Sequence, residues 1–300
     1  LVIDGGSTDA TRDIARRYGA TVLDNPRRLP EPAKLIGFQH AAGQYIIKQD
    51  SDEELLYPTQ IKERVDFFCA HPEVKCIVCD EQLPAKKGGI AARYVCVCGD
   101  PFTQFVYRRK GGRTHTFQKN CVKNQGKMCV MAFQPGNPTP IGDGGTTMVD
   151  FDWVKQTFPT EWNDIGFICS MTDRMIRYTG CCGCIQGDDI RHHVKAGFRG
   201  YLSKLRFRVV NNLFHKQESG FSARAAGTAN IRFARRKYWF VVYAATVVGP
   251  LADSIRMAIQ YRDPSMLLHF VYVYYVCLYI PYCLIAGRLG KKTQVGTYGK

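Results

Sequence analysis

Acid is what this chain holds least of for its size. Its 300 residues include 26 Asp and Glu against 41 Lys and Arg, a formal net charge of +15. Between Arg191 and Lys237 the only acid is Glu218. A balance this basic implies an anionic partner: nucleic acid, an acidic membrane surface or a phosphorylated substrate. Also lacking is an even cysteine framework. The 13 cysteines are odd in number and scattered, which excludes a secreted disulfide scaffold and predicts free thiols in a reducing, cytoplasmic setting. Internal repeats are absent. No signal peptide is visible, but Leu1 falls inside an apparent strand with no Met before it, so the start is expected to be missing.

What is present alternates. Leu1 to Asp52 reads strand, helix, strand, helix, strand. A first helix passes through Ile14 and Tyr18 and closes at Gly19; a second spans Ala33 to Ala42 and stops at Gly43. Ala20 to Leu23 and Tyr45 to Lys48 read as strands, and Asn25 to Pro32, with three prolines, as a loop. The alternation predicts a parallel sheet with helices on its faces. Pro58 to Ala70 reads as a helix and Val74 to Val78 as a strand. Pro84 to Gly145 is less regular and is taken as the acceptor-side half of the domain. Asp150 to Phe158 and Ile168 to Tyr178 are helical candidates. Tyr201 to Phe214 interleaves Lys204, Arg206 and Arg208 with apolar residues, a pattern suited to a membrane surface. Met266 to Gly287 is long enough to span a bilayer, with aromatic and basic flanks.

Two apolar runs end in carboxylates. Tyr45-Ile46-Ile47-Lys48 delivers Asp50-Ser51-Asp52, and Val2-Ile3 delivers Asp4-Gly5-Gly6-Ser7-Thr8-Asp9. Ligands of open α/β sheets sit at such strand ends. Asp50 and Asp52, one residue apart, can share Mg²⁺ or Mn²⁺ and leave open positions for the diphosphate oxygens of a nucleotide sugar. Ser7 or Asp9 can also cap the first helix. Gly5 and Gly6 allow the backbone to approach a flat base. Cys76-x-x-Cys79, Cys96-x-Cys98 and Cys181-Cys182-Gly183-Cys184 suggest a zinc or iron–sulfur site, but Cys76 and Cys96 fall in apparent strands, and buried free thiols are the favoured reading.

Val2 to Thr11, Ala41 to Ile46 and Asp50-Ser51-Asp52 together resemble glycosyltransferase family 2, closely over residues 1–56 and in patches over 135–195. The resemblance implies a fold class of α/β, GT-A (Rossmann-like), with a mostly parallel sheet flanked by helices, here followed by C-terminal amphipathic and transmembrane helices. It implies nucleotide-diphosphate sugars as donors, a divalent cation (Mn²⁺ or Mg²⁺), and inversion at the anomeric carbon. By analogy Asp4 contacts the base, with Gly5, Gly6, Ser7 and Ser51 around the nucleotide sugar. Asp50 sits near the ribose and Asp52 ligates the metal, with Asp50 and His193 (from Asp189-Ile190-Arg191-His192-His193) as further candidates. The family's catalytic base, an acid on a helix that ends in Arg and Gly, maps onto Asp173 in Thr172-Asp173-Arg174, with Asp164 as the second candidate. Gly144, Gly145 and Thr146 resemble its acceptor loop. Arg235-Arg236-Lys237-Tyr238-Trp239 lacks the Gln and the adjacent Arg-Trp of processive synthases, which favours transfer of a single sugar.

The chain is thereby divided into a catalytic domain over 1–195, a basic juxtamembrane segment over 196–237, membrane-associated helices over 238–290 and a polar tail over 291–300. The expected partners are a nucleotide-diphosphate sugar, a lipid-linked acceptor and an anionic membrane surface, with no nucleic acid. The catalytic domain is expected on the cytoplasmic side. Two rivals stand. A nucleotidyltransferase would want a basic phosphate loop, yet Gly5 to Thr11 holds no Lys or Arg. A non-catalytic basic protein would bind nucleic acid or membrane through charge alone.

Overall fold

The computed structural model describes residues 1–107, 121–133, 146–194, 197–214 and 236–290. Strands β1 (Val2–Asp4) and β2 (Val22–Asp24) pair in parallel, with Asp4 beside Asp24. Helix α1 (Thr11–Arg17) connects them. The return into β2 passes Gly19 at φ 76°, a left-handed turn that favours glycine. Helix α2 (Pro30–His40) starts three residues before the expected Ala33. Pro30 and Pro32 fall in its first turn, where no intrahelical N–H bond is lost. α2 packs over β1.

The largest sheet has six strands in the order β3 (Tyr45–Lys48), β9 (Thr147–Asp150), β5 (Cys76–Val78), β10 (Cys181–Ile185), β8 (Met128–Ala132), β7 (Cys121–Gln125). Of its pairings only β5–β10 is parallel. The sheet is therefore mixed rather than mostly parallel. Two local causes account for this: β7 and β8 form a hairpin turned at Gly126 (φ 62°), and β9 runs against both of its neighbours. A third, three-stranded sheet has the order β4 (Glu53–Leu55), β11 (Ile190–His192), β6 (Gln82–Pro84).

Helices α3 (Gln60–Ala70), α6 (Phe151–Thr157) and α7 (Ile165–Thr179) cover the six-stranded sheet. Phe38, Phe151, Phe167, Ile168, Met171 and Met175 fill the core on one side, and Phe67, Ile77, Val130 and Met148 on the other. Gly183 on β10 is forced by this packing, since a Cβ there would lie 2.8 Å from the Phe67 ring.

The segment after Pro84 is more regular than expected. It holds α4 (Ile90–Cys98) and α5 (Pro101–Tyr107), so Cys96 lies on a helix and not in a strand. α4 belongs to a second core, shared with α8 (Phe198–Phe214), α9 (Phe240–Ala245), α10 (Val248–Tyr261) and α11 (Leu268–Arg288). On α8, Tyr201, Leu205 and Val209 face inward at helical spacing. Tyr94 on α4 hydrogen-bonds His269 Nδ1 on α11 at 2.8 Å and stacks edge-on against Tyr272. Between α9 and α10 the chain turns at Val247, where φ is 56°. Residues Pro264–Arg288 form one helix long and apolar enough, by length and composition, to cross a membrane (25 residues, mean hydropathy 1.7).

The cysteines divide. Cys121 and Cys129 form a disulfide across the β7–β8 hairpin, which the reading as free thiols missed. Cys76, Cys79, Cys98, Cys181, Cys182 and Cys184 are buried thiols outside that disulfide. Burial and the neighbouring Cys76 push the Cys182 thiol well up, which leaves it inert as a nucleophile.

Candidate active site

Asp4 ends β1 and turns inward. It accepts hydrogen bonds from the backbone N–H of Gly6 (3.0 Å) and of Ser7 (3.1 Å) and from the Ser7 hydroxyl, and Arg12 Nη1 lies 3.2 Å away. The Ser7 hydroxyl bond is the main cause that holds this carboxyl below the usual range; burial opposes it, and the Gly6 and Ser7 amides and Arg12 add to it. The turn needs Gly6 at φ 90°. Arg28 has φ 55°, a backbone conformation that non-glycine residues seldom adopt, and its guanidinium lies beside Gly6. Gly5 and Ser7 are exposed beside it.

Asp50 and Asp52 follow β3 in a turn. Lys34 reaches across from α2 to Asp50 at 3.5 Å, so the helix that packs on β1 also touches the second acidic strand end. Ser51 is exposed and Asp52 is half-buried. Asp52 Oδ2 lies 3.3 Å from His192 Nε2, and its carbonyl accepts the His193 backbone N–H at 2.6 Å. Burial raises the Asp52 pKa, but the His192 hydrogen bond and the charges of His192 and Lys204 outweigh it, and the net direction is down. Lys204 comes from α8, so the C-terminal core contributes charge to this acid.

The geometry separates the two histidines. β11 pairs with β4 so that Arg191 lies opposite Glu54 and His192 opposite Glu53. His192 then turns to Asp52, while His193 Nε2 goes to Glu54 Oε2 at 2.8 Å. Glu54 also receives Arg191 at 3.0 Å. His193, Asp50 and Asp52 are therefore not gathered as the expected metal trio; His192 takes the place beside Asp52. Among the described residues no group of three His, Cys, Asp or Glu side chains is arranged to hold a metal. The Asp52–His192 spacing is nevertheless close to that of two ligands on one divalent cation. Two adjacent donors on one octahedral ion with bonds of about 2.1 Å stand about 3 Å apart, and such ions take their other ligands from phosphate and water.

Glu53, which sequence reasoning passed over, ties the site together. Its carboxylate accepts the Asp50 N–H (3.2 Å), the Thr146 N–H (3.0 Å), the Thr146 hydroxyl (3.2 Å) and the Gln82 amide (3.3 Å). The Thr146 carbonyl accepts from Arg64 Nη1 at 2.6 Å, and Arg64 Nε bonds Asp188 at 2.7 Å. Both partners of that pair are almost wholly buried. Gln60 donates to Asp188 and to the Asp189 carbonyl, each at 2.8 Å. The acidic turn after β3 is thus braced by a polar network that runs from β4 and β6 through Thr146 to α3 and the Asp188–Asp189 turn. Thr146 is a buried member of this brace, while Gly144 and Gly145 lie outside the described residues.

The two candidate bases lie on α7. Asp164 is its N-cap and accepts the Phe167 N–H at 2.9 Å. Its neighbour Asn163 bonds Gln39, about 7.5 Å further along α2 than Lys34. Asp173 is half-buried in the middle of α7 and pairs with Arg177 one turn on at 2.8 Å. Sequence reasoning missed His192, Glu53, Gln82, Lys34 and Lys204. For His192 a signal existed in the alternation along β11, but it can be read only once the end of the strand is known.

Comparison with known proteins supplies the context. The profile described as Glycosyl transferase family 2 matches residues 1–158. No curated protein matches significantly. Among solved structures, a mannosyltransferase, PcManGT from Pyrobaculum calidifontis in complex with GDP-Man and Mn²⁺, is 16% identical, with 97% of this chain and 78% of that chain covered and a TM-score of 0.44. Glucosyl-3-phosphoglycerate synthase from Mycobacterium tuberculosis, in complex with phosphoglyceric acid, is 17% identical, with 71% of this chain covered and a TM-score of 0.40. The chain spans 66% of that synthase's length, and 62% of the length of a second mycobacterial protein that it matches at 16% identity and a TM-score of 0.41 over 71% of this chain.

Proposed function

This chain belongs to glycosyl transferase family 2, and from that premise we propose an inverting, metal-dependent transfer of one sugar from a nucleotide-diphosphate donor to an acceptor hydroxyl. The observation that carries the reading is the Asp52–His192 donor pair, 3.3 Å apart at a strand end and flanked by Asp50 and Lys34. Asp52 and His192 would hold Mg²⁺ or Mn²⁺, and the cation would neutralise charge growing on the departing diphosphate. Lys34 and Lys204 add positive charge from either side. The Asp4–Gly5–Gly6–Ser7 turn, with Arg28 above it, offers a backbone platform and a cation to the nucleotide. The internal bonds of Asp4 suit it to shaping that platform; contact with the base then falls to the exposed turn around it.

Asp173 takes the acceptor proton. The freed oxygen attacks the anomeric carbon, the bond from that carbon to the phosphate oxygen breaks, and nucleoside diphosphate leaves with the electron pair. Asp164 is the second candidate, but one of its oxygens already caps α7. Most of the rate enhancement in such a scheme comes from preorganised charge and position.

We further read α11 as a membrane anchor, with the catalytic body on the cytoplasmic side and a lipid-linked acceptor. Its apolar length and the basic stretch that precedes the C-terminal helices support this.

The test is a screen of nucleotide sugars with Mn²⁺ on the wild type and on Asp52→Asn. Release of nucleoside diphosphate that drops on the order of 10³-fold in Asp52→Asn is expected. Release of pyrophosphate would favour nucleotidyl transfer instead. Salt-sensitive nucleic-acid binding that Asp52→Asn leaves untouched, without any turnover, would favour the non-catalytic reading.

A further inference from the structure

Helix α10 is built inside out. Its buried positions are Pro250, Ser254 and Met257. At 100° per residue these cluster on one side, and Val248, Leu251, Ile255 and Ile259 fall on the opposite side. That opposite stripe is the more apolar of the two, and it faces outward: Val248 is 71% exposed and Ile259 is 72%. A helix that turns its larger apolar side chains away from its own core is matched to an apolar environment outside the protein.

The surroundings say which environment. Ala252, Ile255 and Ile259 share one open face of α10 with Arg256 and Gln260. Arg256 is exposed and held by Asp253 at 2.7 Å, and Arg262 closes the helix in the left-handed conformation. Polar and cationic groups thus border an apolar floor, the order of chemistry met on passing from lipid phosphate to acyl chain. Just before α9, Tyr238 and Trp239 are exposed, and such aromatics are enriched at the headgroup level. The apolar surface continues onto α11, where Leu278 and Ile285 are also exposed. At 14 residues, α10 is about 21 Å long, too short to cross a hydrocarbon core of about 30 Å.

We propose that α10 lies flat in one leaflet of an anionic bilayer, its Val248–Ile259 stripe among the acyl chains and Arg256 at the phosphates. It fixes the height of the catalytic body above the membrane. The proposal deepens the membrane reading above, yet it is separable from it: α11 can anchor the chain whether or not α10 touches lipid, and sugar transfer is assayed independently.

The experiment uses the full chain with Ile259→Trp, and in parallel Ile255→Trp. Both positions point outward, so neither change disturbs the core. Each protein is bound to phosphatidylglycerol–phosphatidylcholine vesicles whose lipids carry bromine either near the glycerol end or near the methyl end of the acyl chain. The expected result is quenching of the added Trp fluorescence, about twofold stronger with bromine near the glycerol end. Adding Leu251→Glu is expected to abolish that quenching while the protein still sediments with vesicles through α11 and still releases nucleoside diphosphate. Three outcomes overturn the proposal. One is no added quenching in protein that sediments with the vesicles. Another is stronger quenching near the methyl end, which means a crossing helix. The third is an emission shift that follows protein concentration instead of lipid, which means that a second copy covers the stripe.

Discussion

The two cores of this protein bury different things. In the α/β body, apolar side chains fill the space between sheet and helices, and a polar network runs through the interior from Asp188 and Arg64 to Thr146 and Glu53. In the helical part the interior is aromatic, with Tyr94, Tyr201 and Tyr272 in mutual contact, and much apolar surface stays outside on α9, α10 and α11. The difference matches the roles proposed above for the two regions. A body that positions charge needs a rigid polar frame inside. A part that meets an apolar medium needs its apolar groups outside.

Four perturbations break or sharpen this contrast. Arg64→Met leaves Asp188 as an uncompensated buried charge, and a loss of about 3–5 kcal/mol is expected. Thermal unfolding followed by limited proteolysis should show β9 and β11 cleaved while the helical core stays protected; simultaneous loss of both would mean that the two cores unfold as one. Next, His192→Ala should weaken Mn²⁺ activation about 10- to 100-fold, whereas His193→Ala should change it by less than about threefold. Activity titrated against Mn²⁺ distinguishes them, and the reverse ranking would place the cation beside Glu54. Gly183→Ala forces a methyl group against Phe67 and should cost about 1–3 kcal/mol, read as a lower midpoint in urea.

The smallest effect is electrostatic. The Asp4 carboxyl is held below its ordinary value, so its bonds add stability at pH above that ordinary value, and this is lost as pH falls through the lowered one. Ser7→Ala should therefore destabilise the fold by about 1 kcal/mol at neutral pH, with the difference from wild type vanishing in acid. A difference independent of pH would show that Ser7 acts by packing.

The contrast also explains what the sequence disclosed. The strand ends at Asp4 and Asp50 could be read because short apolar runs lead into them. The boundaries of α2 were less so, because three prolines look like a loop until two of them fall into a helix's first turn. His192 and His193 are adjacent, and only the pairing of β11 with β4 decides which one reaches Asp52. Glu53, Lys34 and Lys204 act on the site from other elements, so no local pattern marks them. The helices at the start of Pro84 to Gly145 were missed for the same reason: α4 takes its character from a core completed by helices far downstream.

That last separation has a consequence for how the molecule is made. Tyr94 and His269 are 175 residues apart in the chain. At about 5–20 residues per second, roughly 9–35 s of synthesis pass between the appearance of α4 and that of the helix that covers it. Throughout that interval the ribosome carries a nascent chain with a sticky, half-finished surface. A chain stopped early would leave bare the side of α4 that α8 and α11 cover in the finished protein.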